Sequence, residues 1–123
     1  MNRILIICLI TLLYSCQSTI KETEEQKNIS DFAIRILGKE HAKNFIFKKI
    51  ESASDKDEFE ISFKDDKILI KGNTPIAMAS GLNWYLKYYA KTHISWEARQ
   101  MNLPNQLPVV AKPVSKKSLF TYS

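Results

Sequence analysis

The sequence predicts an α+β fold, a two-layer sandwich in which a small, mainly antiparallel sheet is covered by one main helix plus a short N-terminal helix. Two stretches carry that prediction. Phe59, Ile61 and Phe63 alternate with Glu58, Glu60, Ser62 and Lys64, and the chain then returns through KILIK with Ile68 and Ile70 on one side. A period of two of this kind marks strands with one buried and one wet face. Immediately afterwards Met78, Ala79, Leu82, Tyr85, Leu86 and Tyr89 recur at helical spacing and form one broad apolar stripe. A chain of 123 residues holds one small domain by default.

The first residues stand apart from that domain. Arg3 supplies a positive charge, residues 4–13 are almost wholly apolar, and Ser15 precedes Cys16. This is the three-part plan of a secretory signal peptide, and the apolar run is shorter than the about 20 residues a membrane-spanning helix needs. Leu13-Tyr14-Ser15-Cys16 resembles a bacterial lipobox, so residues 1–15 read as a lipoprotein signal and Cys16 as the lipid attachment site. Cys8 would leave with the signal, and no internal disulfide could form in the mature chain. The resemblance implies export and a lipid anchor in the bacterial cell envelope, at the outer membrane on its periplasmic or surface face. One acyl chain binds a membrane only marginally, and bacterial lipoproteins usually carry more than one. Residues 16–29 are polar and charged, with few apolar side chains, and read as a flexible tether.

The folded part is expected over residues 30–112. Ser30 is an N-cap candidate for a short helix whose Phe32, Ala33, Ile36 and Leu37 share a face, and Gly38 stands where a left-handed C-cap is wanted. Residues 45–50 (FIFKKI) read as a strand with imperfect alternation, and residues 52–57 (SASDKD) as a polar loop. Asp65-Asp66 makes a tight reversal, although aspartate suits positive φ less well than glycine. Thr74 or Asn73 caps the main helix, and Pro75 fits its first position, where a missing N–H costs nothing. Gly81 weakens that helix by about 1 kcal/mol relative to alanine, and its use is close approach to the sheet. Ile94 and Trp96 suggest a further short strand. Pro104, Pro108 and Pro113 argue against a helix beyond it. Residues 113–123 read as an exit segment, strand-like from Leu119 onward.

Charge and motifs exclude several functions. The formal net charge is +5, from 18 basic and 13 acidic residues. Removal of Arg3 with the signal would leave 17 against 13, or +4. The lysines are dispersed, with no arginine-rich helix, zinc spacing or aromatic-basic RNA motif, so nucleic acid is not an expected partner. With three glycines in all there is no phosphate-binding loop. His41 and His93 make no metal site without further ligands, and neither a metal nor a cofactor is expected. A glycosidase needs two carboxylates held about 5–10 Å apart. The acidic residues here fall in the tether, in a loop, on a wet strand face and in a turn, and no catalytic residue is assigned. The aromatics Trp84, Tyr88 and Trp96 remain as candidates for glycan contact or for packing against a neighbouring domain.

One resemblance adds to this reading. Ile68 to Gly72 ends in Gly72-Asn73-Thr74, then Ala77, Ala79 and Ser80 open the helix. Gly81-Leu82 with Tyr85-Leu86, His93-Ile94-Ser95-Trp96, Leu103-Pro104 and Leu107-Pro108 follow. From Phe59 onward this order resembles the small N-terminal domain of the α-N-acetylglucosaminidases, glycoside hydrolase family 89, which includes the lysosomal heparan-sulfate enzyme. The resemblance implies a non-catalytic domain that in the family precedes a (β/α)8 barrel carrying the two catalytic glutamates. A catalytic barrel encoded downstream is therefore an expected partner, and the strand-like end of the chain reads as the truncated start of such a barrel. The alternative is a free-standing carbohydrate-binding or scaffold lipoprotein.

Overall fold

The computed structural model describes residues 24–92 and 103–121. The signal segment, Cys16 and the expected strand at Ile94 and Trp96 lie outside the described residues.

The alternating stretch forms the centre of the sheet. Strand β2 (Lys56–Lys64) pairs antiparallel with β3 (Lys67–Gly72), with Ile61 opposite Ile70 and Phe63 opposite Ile68. Lys64 faces Lys67 across the reversal, and both turn residues, Asp65 and Asp66, take positive φ, 53° and 59°. A two-residue hairpin turn of the favoured twist requires positive φ at both positions. Strand β1 (Phe45–Lys49) lies parallel to β3 on its other side, with Phe45 opposite Ile68 and Phe47 opposite Ile70. Strand β4 (Val114–Thr121) adds antiparallel to β2, giving the order β1-β3-β2-β4.

Two of these strands depart from the sequence reading. Residues 113–123 were expected to lead away from the domain, yet Val114–Thr121 is the fourth strand of the domain's own sheet. Its partner β2 offers a row of unpaired N–H and C=O groups on that side, and Val114 lines up with the fully buried Ile61. Strand β2 also begins at Lys56, inside the expected polar loop. The Asn73 side chain holds it there: its Nδ2 donates to the Lys56 carbonyl at 2.8 Å, and its Oδ1 accepts from the Glu58 N–H at 2.9 Å. Asn73 also donates its own N–H to the Glu58 carbonyl at 3.2 Å. An irregularity in register between Lys56 and Glu58 accompanies this clasp.

Helices α1 (Glu24–Leu37) and α3 (Pro75–Tyr88) cover one face of the sheet, and a single turn, α2 (Lys39–Ala42), links α1 to β1. The N-terminal helix is not short. It has 14 residues, as many as α3. It starts well before Ser30, so residues 24–29 of the expected tether are helical. Ile29 is the reason, because it extends the buried column Ile29, Ala33, Leu37 by one turn. Glu24 and Glu25 suit the first turn electrostatically. Glu25 pairs with Lys49 at 2.7 Å, and the Gln26 Nε2 donates to the Phe47 carbonyl at 3.4 Å. Ser30 is an interior residue whose hydroxyl donates back to the Gln26 carbonyl at 2.8 Å. Gly38 does take positive φ, 79°, but with ψ 158°. That is an extended conformation open essentially to glycine alone, and it swings the chain from α1 into α2.

Helix α3 begins as its sequence indicates. Thr74 is the N-cap, its Oγ1 accepting the Ala77 N–H at 3.0 Å and donating to the Asp57 Oδ1 at 2.6 Å, with Pro75 next in line. Its inner face is Ala77, Met78, Gly81, Leu82, Tyr85 and Leu86, while Ala79 and Tyr89 lie at the margin. The face is turned toward Ala77 and Gly81 because two glycines let helix and sheet touch. A Cβ on Gly72 would stand 2.8 Å from the Met78 backbone nitrogen, and one on Gly81 2.8 Å from the Ile70 Cγ2. The core between the layers is Tyr85, Ile61, Ile68, Ile70, Met78, Leu82 and Leu86. The opposite sheet face carries the Glu60–Lys71 pair at 3.0 Å, and Leu69 is its buried residue.

Candidate functional site

The aromatic residues singled out in the sequence sit on the last turns of α3. Trp84 and Tyr88 are one turn apart on its shoulder, beside the buried stripe. Their ring centroids are 4.7 Å apart with the planes tilted by 42°. Tyr89 lies 5.9 Å from Trp84 on a plane tilted by 51°. Lys116 of β4 brings its ammonium to 5.7 Å from the Trp84 ring, a cation–π contact that joins the shoulder to the edge strand. Trp84 is thus surrounded by protein groups. Tyr88 is the open member, 54% exposed, with the Lys87 ammonium 5.2 Å from its ring. Trp96 and Cys16 lie outside the described residues.

Inward from the shoulder the same helix anchors a strap. Tyr85 is fully buried; Phe45 meets its ring edge-on at 5.5 Å, and Tyr89 stacks on it at 5.5 Å. Its hydroxyl donates to the Pro108 carbonyl at 2.6 Å. Burial, reinforced by Tyr89, pushes the Tyr85 phenol up to about 12. Val110 is buried and Leu107 partly so, so the proline-rich segment lies on the core as an extended strap.

A sugar-stacking platform needs an uncovered ring face. Three neighbours already occupy Trp84, which leaves the exposed Tyr88 as the part of the shoulder that another surface can reach.

The carboxylates are distributed as structural partners. Glu60 pairs with Lys71 and Glu58 with Lys117, the latter at 3.9 Å, and Asp57 holds the Thr74 hydroxyl. Glu40 pairs with Lys43, whose hydrogen bond and charge hold its carboxyl below the usual range. Among the described residues no group of three His, Cys, Asp or Glu could hold a metal ion, and no helix is long and apolar enough to cross a membrane.

Sequence reading missed the reach of Asn73, which it took only as a possible cap. Together Gly72, Asn73 and Thr74 make the close approach, the clasp on β2 and the helix cap. The signal was the run itself, three residues with three different geometrical duties between a strand and a helix.

Comparison with known proteins agrees with this architecture. Residues 27–109 match the family described as the alpha-N-acetylglucosaminidase (NAGLU) N-terminal domain. Human alpha-N-acetylglucosaminidase is 36% identical over 44 residues, which are 36% of this chain and 6% of that protein. The family 89 glycoside hydrolase from Clostridium perfringens, solved in complex with PUGNAc, superposes with a TM-score of 0.71 at 31% identity. That superposition covers 78% of this chain and 11% of the enzyme. The same enzyme with 2-acetamido-1,2-dideoxynojirmycin gives a TM-score of 0.72 at 30% identity, covering 85% and 12%. The chain therefore spans about a tenth of the length of these solved relatives.

Proposed function

The chain belongs to the alpha-N-acetylglucosaminidase family, to the N-terminal domain of its members, and from this we propose that it serves as the non-catalytic N-terminal domain of a glycan-degrading hydrolase of that type and is inactive alone. The observation that carries the proposal is the extent of the match. The structural likeness takes in most of this chain but only 11–12% of the enzyme. What surrounds the carboxylates supports the reading too. Glu58 and Glu60 are tied to lysines, and Asp57 is tied to a helix cap.

A Clostridium perfringens relative was solved with GlcNAc-alpha-1,4-galactose, described as its substrate, so the proposed substrate class of the whole enzyme is an α-linked N-acetylglucosaminide. Purified chain incubated with a chromogenic α-N-acetylglucosaminide is expected to release no chromophore above the protein-free control. Steady release at a rate proportional to protein would overturn the proposal. DNA flanking the coding region provides the second check, with a frame for a (β/α)8 barrel as the expected result.

The domain is also proposed to be exported and lipid-anchored through Cys16. Cys16→Ala is expected to abolish fatty-acid labelling and to accumulate unprocessed precursor. Undiminished labelling in that variant rules the anchor out.

A further inference from the structure

We propose that the cleft at the hairpin end of the sheet binds one neutral sugar ring, at a site separate from the aromatic shoulder. The cleft has a volume of about 260 Å³ and is lined by Asn44, Phe63, Asp66, Asn105 and Gln106, with Ile68, Leu107 and Val109 as its aliphatic part. Drug-sized pockets run from about 300 to 1,000 Å³, so this one suits a single ring.

The fold assembles this lining from four separate segments. Asn44 stands just ahead of β1, and its backbone carbonyl accepts the Ile68 N–H at 2.8 Å, which fixes its place at the rim. Phe63 occupies the end of β2 opposite Ile68. Phe63 is left 36% exposed although Ile61, two residues before it on the same strand face, is fully buried. Asp66 is the second residue of the reversal, at positive φ. Asn105 and Gln106 belong to the strap that the Tyr85–Pro108 hydrogen bond draws onto the core.

The chemistry of the lining selects the ligand. Phe63 offers an accessible aromatic ring, which Trp84 does not. Around it stand three side-chain amides and one carboxylate. Among the described residues the side chains of Asp66, Asn105 and Gln106 make no hydrogen bond within the protein, and that of Asn44 makes only a long one, 3.4 Å, to the Glu40 carbonyl. Carboxamides supply donors and acceptors together, and a carboxylate accepts from hydroxyls. A polyhydroxylated ring with one apolar face meets both needs. Among the described residues no lysine or arginine lines the cleft, and Asp66 would repel a sulfate or carboxylate, so the ligand class is neutral. An apolar floor with a few convergent polar groups is the usual make-up of a small-molecule site.

The choice of first probe, N-acetylglucosamine, rests on the family reading; the site rests on the cleft alone. The test is saturation-transfer NMR on the full chain with N-acetylglucosamine, galactose and N-acetylglucosamine 6-sulfate, each at about 10 mM, a concentration that populates a millimolar site. Transfer to at least one neutral sugar is expected, with weaker transfer to the sulfate. Phe63→Leu keeps apolar bulk and removes the ring, and it is expected to weaken binding about tenfold, the scale of one aromatic contact. Gln106→Ala is expected to weaken it less, and Tyr88→Ala not at all. No transfer from either neutral sugar, equal transfer in Phe63→Leu, or preference for the sulfate each overturns the proposal. Circular dichroism and thermal melts of the variants separate a lost site from a lost fold. Turnover of a chromogenic glycoside is read in a different assay, so failure of the non-catalytic reading leaves this result standing, and the reverse holds too.

Discussion

Tyr85 and Tyr88 stand one turn apart on α3 and have opposite fates. Tyr85 has no exposed surface, packs against Phe45 and Tyr89, and spends its hydroxyl on the Pro108 carbonyl. Tyr88 is 54% exposed and touches Trp84 and Lys87 at the surface. The residue type is the same, and the helix face decides the rest. The inner face of α3 is a stability device, because every atom there displaces water from the core. The shoulder adds little to the core, because its outermost ring keeps more than half of its surface in water.

The largest expected effect is on the inner face. Tyr85→Ala should cost about 3–5 kcal/mol, the range for removing a buried aromatic, read as a fall in the urea midpoint; a loss under about 1 kcal/mol would place Tyr85 with the shoulder. Gly72→Ala comes next, at about 1–3 kcal/mol, because its new Cβ would press on the Met78 backbone nitrogen, which cannot rotate away. Gly81→Ala should cost less than Gly72→Ala. Its clash is with side chains, Ile70 and Phe59, and alanine returns about 1 kcal/mol of helix propensity.

Tyr85→Phe sharpens the comparison by removing one oxygen. It leaves the Pro108 carbonyl without its donor and should cost about 1–2 kcal/mol, with faster proteolysis near residue 108 as the local sign. It also changes the response to alkali. The folded-state pKa of Tyr85 is raised to about 12 from an ordinary value of 10.0. The unfolded chain therefore loses this proton first. The contribution is complete below pH 10 and disappears as pH rises from there through 12. Alkaline denaturation should thus be shallower in Tyr85→Phe than in the parent over that window, as followed by circular dichroism.

The smallest effects belong to the shoulder and the turns. Tyr88→Ala should change stability by no more than about 0.5 kcal/mol, as for an ordinary surface site. Asp66→Gly should stabilise by about 0.5–1 kcal/mol, because glycine takes the left-handed conformation without the Cβ penalty. An unchanged urea midpoint would show that the turn already holds Asp66 at no cost.

Much of the fold was legible because its signals are local. The alternation of Phe59, Ile61 and Phe63, the return through Ile68 and Ile70, the Thr74-Pro75 start and the stripe of α3 each lie within one element. Gly81 was legible too, since a glycine inside an otherwise good helix signals close approach, and the Ile70 contact supplies it. The length of α1 was not. Residues 24–28 are polar, and nothing local distinguishes a tether from a helix whose next turn reaches the core through Ile29. Of the candidate site, the positions of Trp84 and Tyr88 at the edge of the stripe followed from helical spacing. Their separate fates did not, because Lys116 and Tyr89 reach Trp84 only in the folded chain. The cleft was illegible for the same reason: Asn44, Phe63 and Asn105 come from distant parts of the sequence, and Phe63 had the pattern of an ordinary core residue.

The sequence alone determined the hairpin, the main helix with its cap and the two-layer class, which rest on periodicity and on contacts between near neighbours, and it carried the motif order by which the chain resembles its family. Tertiary structure alone decided which strands pair beyond that hairpin, and in which direction. That β1 runs parallel to β3, and that β4 closes on β2 rather than leaving the domain, depends on backbone N–H and C=O groups finding partners across long stretches of chain. Those groups are the same at every residue, so their pairing leaves no mark in the order of side chains.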